Sequence, residues 1–217
     1  MTDPQHKLSE DAKSGARARP MRDGVGFFGN FLKNPTSVGA VLPSSRYLSR
    51  ALVGDLAQLR PGELVVEYGP GTGPMTSVIH ARLPAGARYL GVELQRSFCD
   101  LLQSRFPALS FHCGSAGDIE AILRERQLPR PTRIVSGLPF ASLPPAVQDG
   151  VVDGLVWALE GSEGEFRTFQ YAHAYGMKSA RRFRALMDER FERFEREGPI
   201  VRNVPPAFVL RYSRARG

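Results

Sequence analysis

The sequence predicts an α/β protein with an open, mostly parallel sheet of seven strands. Short apolar segments alternate along the chain with longer segments of helical periodicity, an alternation typical of parallel strands joined by helical crossovers. The strand segments are apolar throughout, which indicates that helices cover both faces of the sheet. The last two strand segments have no helix between them, so they predict an antiparallel C-terminal hairpin at one edge.

The elements follow in a regular order. Strands are predicted at residues 63–68, 88–93, 109–113, 132–136 and 165–175, and as two strands within 191–212 on either side of Pro205-Pro206. Helices are predicted after the first five strands at residues 73–83, 95–106, 118–127, 144–159 and 179–191. Two extra helices precede the sheet, one with Val25, Phe28, Phe31 and Leu32 on one face and one from about 45 to 58. Ligands of such a Rossmann-like sheet bind beyond the carboxyl ends of its strands.

Length and composition favour one well-packed globular domain with additions. The chain has 217 residues, of which 42% are hydrophobic and 24% are charged. No apolar segment approaches the roughly 20 residues that span a bilayer, and the N-terminus has no hydrophobic signal segment. Cys99 and Cys113 lack metal-ligand spacing, so we expect reduced cysteines in a cytoplasmic protein and no metal site.

The positive charge is concentrated at the two ends of the chain. Lys and Arg outnumber Asp and Glu by 9 to 5 in residues 1–60 and by 11 to 5 in residues 178–217, whereas residues 61–177 have 9 against 12. Basic ends around a mildly acidic middle indicate contact with an anionic partner, either nucleic acid or acidic lipid headgroups. The alternative is an Arg-rich surface that only meets solvent.

A glycine-rich turn follows the first predicted strand, in the segment Glu67-Tyr68-Gly69-Pro70-Gly71-Thr72-Gly73. The dinucleotide fingerprint needs its third glycine at position 74, which is Pro here. The pattern E-x-G-x-G-x-G instead resembles that of S-adenosylmethionine-dependent methyltransferases. The resemblance implies that this turn lies against the methionine part of the cofactor and that Glu67 neutralises its ammonium group. The alternative is a tight turn beside an incidental glutamate.

The next two strand ends have polar residues where this resemblance implies the rest of the cofactor. Glu93 ends the second strand and is placed to accept both ribose hydroxyls, with Leu94 next to it. Ser115 and Ala116 follow the third strand, where the adenine is expected. Many relatives have Asp at the position of Ser115, so Asp118 or the backbone is left as the alternative partner of the adenine amine.

The fourth strand leads into Ser136-Gly137-Leu138-Pro139-Phe140, which resembles the [N/D]-x-P-[Y/F] motif of amino-methyltransferases. Ser136 is expected to border the cofactor. Because methyl transfer is an in-line displacement, alignment of the nitrogen dominates its catalysis. The Gly137 carbonyl is expected to direct the amine, and Phe140 to stack on a base or stabilise a developing ammonium through its π face. Base-modifying relatives have Asn or Asp at the position of Gly137, so the glycine favours an alkyl amine as acceptor.

Two N-terminal segments make the resemblance more specific. Residues 27–33, FFGNFLK, resemble the opening of ribosomal RNA adenine dimethylases, which are class I methyltransferases. Residues 37–45, SVGAVLPSS, followed by Leu48 and Ala51, resemble the signature of bacterial phospholipid N-methyltransferases. That family methylates phosphatidylethanolamine stepwise to phosphatidylcholine. The sequence also ends without the C-terminal helical domain with which RNA adenine dimethylases hold RNA, so no nucleic acid partner is expected.

A membrane contact is expected at the N-terminus. Residues 1–60 are predicted to form basic helices that bind an anionic membrane or act as a lid, and residues 61–217 to form the methyltransferase domain. A basic helix with an aromatic face can lie among the headgroups of the inner face of the cell membrane. The same aromatic residues, Phe27, Phe28 and Phe31, are equally compatible with a lid over the cofactor.

The fifth strand supplies the remaining candidate residues. Tyr171, His173 and Tyr175 alternate along it, which would place them on one face, where they border the acceptor cleft or pack under a helix. His173 is a candidate proton acceptor, and loss of the proton to water or with help from the lipid phosphate is equally compatible with the sequence. The sequence therefore predicts a monomeric, peripherally bound phospholipid N-methyltransferase. An RNA adenine-N6 methyltransferase and a non-catalytic cofactor-binding protein are the alternatives.

Overall fold

The fold comes from a computed structural model that describes residues 44–216. The predicted helix with Phe28 on its face and residues 37–43 of the N-terminal motif lie outside the described residues. Ser44 and Ser45 are the first described positions, and they lead directly into the first helix.

The described chain alternates strands and helices as the apolar pattern predicts. The helices are α1 (Arg46–Val53), α2 (Pro74–Arg82), α3 (Arg96–Arg105), α4 (Ile119–Glu125), α5 (Pro145–Leu159) and α6 (Lys178–Arg190). The strands are β1 (Leu64–Tyr68), β2 (Arg88–Glu93), β3 (Ser110–Cys113), β4 (Arg133–Ser136), β5 (Glu165–Tyr171), β6 (Phe191–Ile200) and β7 (Ala207–Ala215). Short 3-10 turns occupy Ala116–Asp118, Phe140–Ser142 and Ala172–Ala174.

The seven strands form one sheet in the order β3-β2-β1-β4-β5-β7-β6. The first five strands are parallel, and β7 pairs antiparallel with both β5 and β6. This confirms the predicted mostly parallel sheet with a C-terminal antiparallel hairpin. The strand order reverses between β1 and β4, and the crevice above such a reversal is where ligands bind in open α/β sheets.

Two element ends differ from the predicted ones by four or more residues. α1 ends at Val53 instead of continuing to residue 58, because Gly54 adopts φ +66° and its N–H bonds the Arg50 carbonyl. β5 ends at Tyr171 instead of residue 175, because its pairing with β7 stops where β7 begins, at Ala207. Aromatic residues and alanines alternate in Tyr171-Ala172-His173-Ala174-Tyr175 and mimic a strand, but the chain bends there into a 3-10 turn.

Alternate residues of the strands build two hydrophobic cores, one on each face of the sheet. Val65, Val135 and Val209 pack with α1, α2 and α3 on one face. Val66 and Ile134 pack with α4, α5 and α6 on the other. The central strands β1, β2 and β4 are buried at nearly every position, which explains why their segments are rich in apolar residues, whereas β6 at the edge is mostly exposed.

We call the edge where the parallel strands end the carboxyl rim. Besides the segments that follow β1 to β5, it includes the β6–β7 turn, residues 201–206, since β7 runs antiparallel and begins where β5 ends. The Asn203 side-chain oxygen accepts a hydrogen bond from the Ser45 N–H at 2.9 Å. The start of α1 is therefore joined to the carboxyl rim.

The other end of α1 is held at the opposite edge of the sheet. Arg133 donates to the carbonyls of Val53 and Asp55, at 3.1 and 2.6 Å, and Arg167 lies against the Ala51 carbonyl at 3.4 Å. Cations at the last carbonyls of a helix satisfy unpaired acceptors and oppose the helix dipole. α1 belongs to the predicted basic segment 1–60, yet it is packed into the core of the sheet domain. The boundary at residue 60 stays a prediction.

One buried carboxylate organises the arginines at this edge. Glu165 contacts Arg133 at 2.5 Å, Arg167 at 3.0 Å and Arg211 at 2.5 Å. Burial alone would raise the pKa of Glu165, but these guanidinium groups hold it below its usual value. The carboxylate therefore keeps three close cations together.

Among the helices within residues 44–216, none combines the length and the apolar character needed to cross a bilayer.

Replacing Glu165 with Gln should destabilise the protein by about 3 kcal/mol, because three partly buried cations lose their shared counterion. Urea denaturation at neutral pH measures this loss. In the parent protein the same stabilisation is complete above the pKa of the unfolded carboxyl and disappears as the pH falls through the lower folded value.

The matched control is Glu163→Gln, since the Glu163 side chain is 83% exposed and lies 3.8 Å from Arg214. This change should alter stability by less than about 0.5 kcal/mol. Equal effects of the two substitutions would contradict the assigned role of Glu165.

Candidate active site

The glycine turn after β1 forms the floor of the site. Gly69, Gly71 and Gly73 have φ values of 65°, 59° and 86°, and Gly73 leads into Pro74, the first residue of α2. A Cβ placed on Gly71 would meet no atom within 4 Å, so the backbone is open to its surroundings at this point. Such a turn lets a ligand approach the main chain closely.

Glu67 lies completely buried beneath this turn. Its Oε2 accepts hydrogen bonds from the Thr76 hydroxyl at 2.8 Å and the Tyr89 hydroxyl at 2.6 Å. Its Oε1 has no hydrogen-bond partner among the described residues. Burial raises the pKa of Glu67 to about 7, against the opposing effect of the two hydroxyl donors. A buried carboxyl group with one unpaired oxygen fits a cationic ligand group such as the ammonium of S-adenosylmethionine.

Glu93 is held at the end of β2 by backbone donors. Its Oε2 accepts the Gly71 N–H at 3.0 Å, and its Oε1 accepts the Gln95 N–H at 2.9 Å. A carboxylate oxygen can accept two hydrogen bonds, so each oxygen of Glu93 can still accept one from a ribose hydroxyl. The carboxylate therefore connects the glycine turn to the ribose position that the sequence predicts. Leu94 packs beside it against the neighbouring core.

In the segment after β3, the Ser115 side chain is hydrogen-bonded within the segment itself. The Ser115 hydroxyl accepts the Gly117 N–H at 3.1 Å and caps the 3-10 turn that begins at Ala116. Ala116 is buried, whereas the Asp118 side chain is exposed. Contact of Ser115, Ala116 or Asp118 with the adenine stays a prediction.

The loop after β4 lies directly against the glycine turn. The Gly137 N–H bonds the Tyr68 carbonyl at 2.8 Å, and a Cβ on Gly137 would stand 2.8 Å from the Gly69 carbonyl oxygen. A Cβ on Gly69 would in turn collide with Leu138 at 2.7 Å. Because the Cβ direction of Gly137 points into the glycine turn, the lack of Asn or Asp here reflects this close approach. The prediction that Gly137 selects an alkyl amine loses its basis.

The first four carbonyls of the same loop differ in their hydrogen bonding. The carbonyls of Leu138, Pro139 and Phe140 accept hydrogen bonds from Phe140, Ser142 and Leu143 N–H groups, respectively. Within residues 44–216 no hydrogen bond reaches the Gly137 carbonyl. The buried Ser136 hydroxyl accepts the Leu138 N–H at 3.1 Å and thereby fixes the start of the loop.

The role predicted for Phe140 is wrong. Its ring has no accessible surface, stacks on Phe183 at 4.3 Å and meets Phe166 edge-on at 6.0 Å. A ring enclosed in this way cannot offer a π face to a substrate nitrogen. Phe140 instead anchors the loop in the core between β5 and α6.

Two residues that were not predicted from the sequence hold the loop after β4 in place through hydrogen bonds. Gln148 is buried and donates from Nε2 to the carbonyls of Phe140 at 2.6 Å and Leu143 at 3.2 Å. Arg182 of α6 donates to Gln148 Oε1 at 2.6 Å and also pairs with Asp149. The available signal was a polar residue on the buried face of α5, in helical register with Val151, Val152 and Leu155.

The three residues that were predicted to share one face of β5 do not lie together in the structure. Tyr171 and His173 stay together, with their rings stacked at 5.7 Å. Tyr175 instead packs on Phe208 at 5.0 Å and under the Arg184 guanidinium at 3.7 Å. The predicted shared face is therefore wrong for Tyr175, because the chain leaves the strand at Tyr171. Burial raises the pKa of Tyr171, so at neutral pH it is an uncharged phenol.

Comparison with known proteins agrees with this geometry. The chain is 32% identical over 192 residues to an ornithine lipid N-methyltransferase from Singulisphaera acidiphila, covering 86% of this chain and 94% of that protein. A ribosomal RNA small subunit methyltransferase A from Synechococcus elongatus matches 98 residues at 32% identity, or 42% of this chain and 34% of that protein. No protein-family model matches the chain.

Solved structures share the fold at low identity. A TehB-like S-adenosylmethionine-dependent methyltransferase from Corynebacterium glutamicum superposes with a TM-score of 0.55 at 16% identity, covering 88% of this chain and 97% of that one. Human methyltransferase-like protein 13, in complex with S-adenosylhomocysteine, gives a TM-score of 0.55 at 15% identity over 76% and 78% of the two chains.

The fold and these relatives define a class I S-adenosylmethionine-dependent methyltransferase, and S-adenosylmethionine is its cofactor. Within that class, the chain belongs to the same family as the ornithine lipid N-methyltransferase of Singulisphaera acidiphila.

The residues at the carboxyl rim fit this cofactor. When bound, S-adenosylmethionine supplies an electrophilic methyl group on a sulfonium sulfur. Glu67 would face the ammonium group, Glu93 the ribose hydroxyls, and Gly71 the methionine part through its open backbone.

Glu67→Gln should weaken S-adenosylmethionine binding at pH 7.5 by about tenfold, because the variant cannot form an ion pair with the ammonium group. Protonation of Glu67 near pH 7 removes the same ion pair in the parent protein. The ratio of the parent's affinity for S-adenosylmethionine to that of Glu67→Gln should therefore decrease as the pH falls from 7.5 to 5.5. Isothermal titration calorimetry of both proteins at each pH measures this ratio, in which titration of the cofactor itself cancels.

Glu125→Gln is the matched control for that experiment, since Glu125 is exposed on α4. It should follow the parent protein at every pH. A ratio between the parent and Glu67→Gln that does not change with pH would refute the assignment of Glu67.

Gly137→Ala should lower kcat by at least about tenfold, because the new Cβ separates the loop from the glycine turn and misaligns the reacting groups. Stability should fall by about 1–3 kcal/mol from the steric overlap. Turnover and thermal unfolding are measured together, with Gly176→Ala as the control, since a Cβ on Gly176 meets no atom within 4 Å. Unchanged turnover in Gly137→Ala would show that the contact between the two loops is dispensable.

Proposed function

We propose that the protein transfers methyl groups from S-adenosylmethionine to the amine headgroup of a membrane lipid, namely phosphatidylethanolamine and its mono- and dimethyl derivatives, toward phosphatidylcholine. The observation that carries this proposal is the similarity to the ornithine lipid N-methyltransferase, which extends over 94% of that protein. Headgroups of ornithine lipids and of phosphatidylethanolamine both end in a primary alkyl amine on a flexible chain. A site for one offers the chemistry needed for the other.

We call the loop after β4, residues 137–144, the acceptor loop. Its hydrogen bonding supports an amine as the nucleophile. The Gly137 carbonyl receives no hydrogen bond within the described chain, and we propose that it accepts an N–H of the headgroup and directs the nitrogen lone pair. An amine that gains methyl groups loses N–H donors at each step. The neutral primary and secondary amines still have an N–H for this acceptor, so it would direct the first two transfers, whereas the neutral tertiary amine has none and the third transfer would not use it.

Tyr171 and His173 are proposed to border the headgroup. They stand where β5 ends, next to the loop that follows β4, and His173 is exposed. His173 is the proposed proton acceptor for the alkyl ammonium. The uncharged Tyr171 phenol is proposed to donate a hydrogen bond to the lipid phosphate.

The partner of the basic N-terminal segment is proposed to be an anionic membrane. Four basic residues, Lys7, Lys13, Arg17 and Arg19, precede the predicted amphipathic helix. Each basic residue near an anionic bilayer contributes about 1 kcal/mol, so together they would recruit the protein reversibly to the inner face of the cell membrane. We propose that it acts there as a peripherally bound monomer.

The partial similarity to ribosomal RNA methyltransferases makes RNA adenine methylation the second candidate. The test therefore offers the full-length protein labelled S-adenosylmethionine with one acceptor at a time. The acceptors are anionic vesicles containing phosphatidylethanolamine, vesicles containing ornithine lipid, and unmodified small-subunit ribosomal RNA. We expect label in phosphatidylethanolamine, resolved by mass spectrometry into mono-, di- and trimethyl products.

The catalytic control for this assay is Glu93→Ala, which should abolish label transfer, alongside Glu125→Ala, which should not. Label in ornithine lipid alone would replace the proposed substrate and retain lipid N-methylation. Label in RNA and none in either lipid would overturn the proposal.

A further inference from the structure

The β6–β7 turn exposes two valines that the fold does not use. Val201 is 71% exposed and Val204 is 72% exposed. The turn itself is well fixed, because Asn203 between them is buried and bonds both the Ser45 N–H and the Pro205 carbonyl. Flexibility therefore does not explain the outward position of the two apolar side chains, and burying them would require another surface.

Arginines of the turn and of α1 meet at the ring of Tyr47. Arg202 lies between them in sequence, and its guanidinium stands 5.0 Å from the centre of the Tyr47 ring. Arg46 stands 4.9 Å from the same ring, and Arg50 follows one turn later on α1. Hydrogen bonding and charge from Arg46 lower the pKa of Tyr47, with smaller contributions from Arg202 and Arg50. Three cations and an aromatic ring thus adjoin two exposed aliphatic side chains.

This group of residues occupies the carboxyl rim. Tyr171 at the end of β5 pairs with Ala207 at the start of β7, so the turn rises from the same edge as the glycine turn. β7 is two strands from β4 in the sheet order, which at about 4.8 Å per strand places the turn roughly 10 Å from the loop after β4. A surface touching the turn would therefore adjoin the acceptor loop.

We propose that Val201, Val204, Arg202, Arg46 and Arg50, with Tyr47, form a docking surface for an anionic lipid bilayer. The valines enter the boundary between headgroups and acyl chains, the arginines contact lipid phosphates, and Tyr47 lies at headgroup depth. This arrangement fits a bilayer better than RNA, because exposed aliphatic side chains offer bases neither hydrogen bonds nor a stacking surface. The inference rests on the proposed function for its meaning, since docking here would present headgroups to the acceptor loop.

The first test measures insertion directly in the full-length protein. Val204→Cys is made in a Cys113→Ser background, because Cys113 is exposed whereas Cys99 is buried, and is labelled with a polarity-sensitive dye. Vesicles of phosphatidylcholine with phosphatidylglycerol should shift the dye emission to the blue. A label at Leu101, which is 44% exposed on α3, is the matched control and should not respond.

Two results would overturn the docking surface. One is a dye at position 204 that does not respond to vesicles which the protein binds. The other is an emission that is already blue without lipid and unchanged by vesicles, because protein would then cover the valines. A response to RNA instead of vesicles would also refute a bilayer as the partner.

The second test separates docking from catalysis. Val201→Ser combined with Val204→Ser should reduce partitioning to anionic vesicles and turnover on them by about tenfold, since two apolar side chains no longer enter the bilayer. Turnover on a short-chain, water-soluble phosphatidylethanolamine should be unchanged. Leu101→Ser, the control, should leave both assays unchanged. Undiminished partitioning in the double variant would overturn the inference, and the absence of any lipid methylation by the parent would refute only the proposed function.

Discussion

The close approach of Gly69 and Gly137 determines how the site is built. It sets the loop after β1 against the loop after β4, with a hydrogen bond from the Gly137 N–H to the Tyr68 carbonyl and no room for a Cβ on either glycine. The glycine turn and the loop that is proposed to face the methyl acceptor are therefore parts of one backbone contact. Gln148 and Arg182 support this contact from below, through the carbonyls of Phe140 and Leu143.

The parallel sheet and the antiparallel hairpin could be predicted from the sequence. Strands that are buried on both faces consist of apolar segments, and such segments are recognisable along the chain. β2 was predicted to the residue, at 88–93. The end of β5 was missed because the Tyr171-Ala172-His173 pattern continues a strand periodicity, whereas the strand ends at Tyr171, opposite the first residue of its antiparallel partner β7. Local periodicity does not predict where the pairing between two distant segments ends.

The cofactor side of the site was easier to predict than the acceptor side. Glu67, Glu93 and the glycines act at strand ends, where chain order alone gives their positions. The burial of Phe140 depends on Phe166 and Phe183, which are distant in sequence. The hydroxyl of Tyr89 on Glu67 depends likewise on the register between β1 and β2.

The two attachments of α1 have a consequence for how weak contacts combine. Arginines fix its last turn at one edge of the sheet, and Asn203 fixes its start at the other, so the chain that precedes Ser44 joins the domain beside the β6–β7 turn. A membrane contact made by the first 43 residues would thus operate as a tether on the same side as the turn. Two linked contacts of modest affinity reinforce each other through effective concentration, so lasting residence on the bilayer would depend on both, and permanent loss of either would leave only the weak affinity of the other.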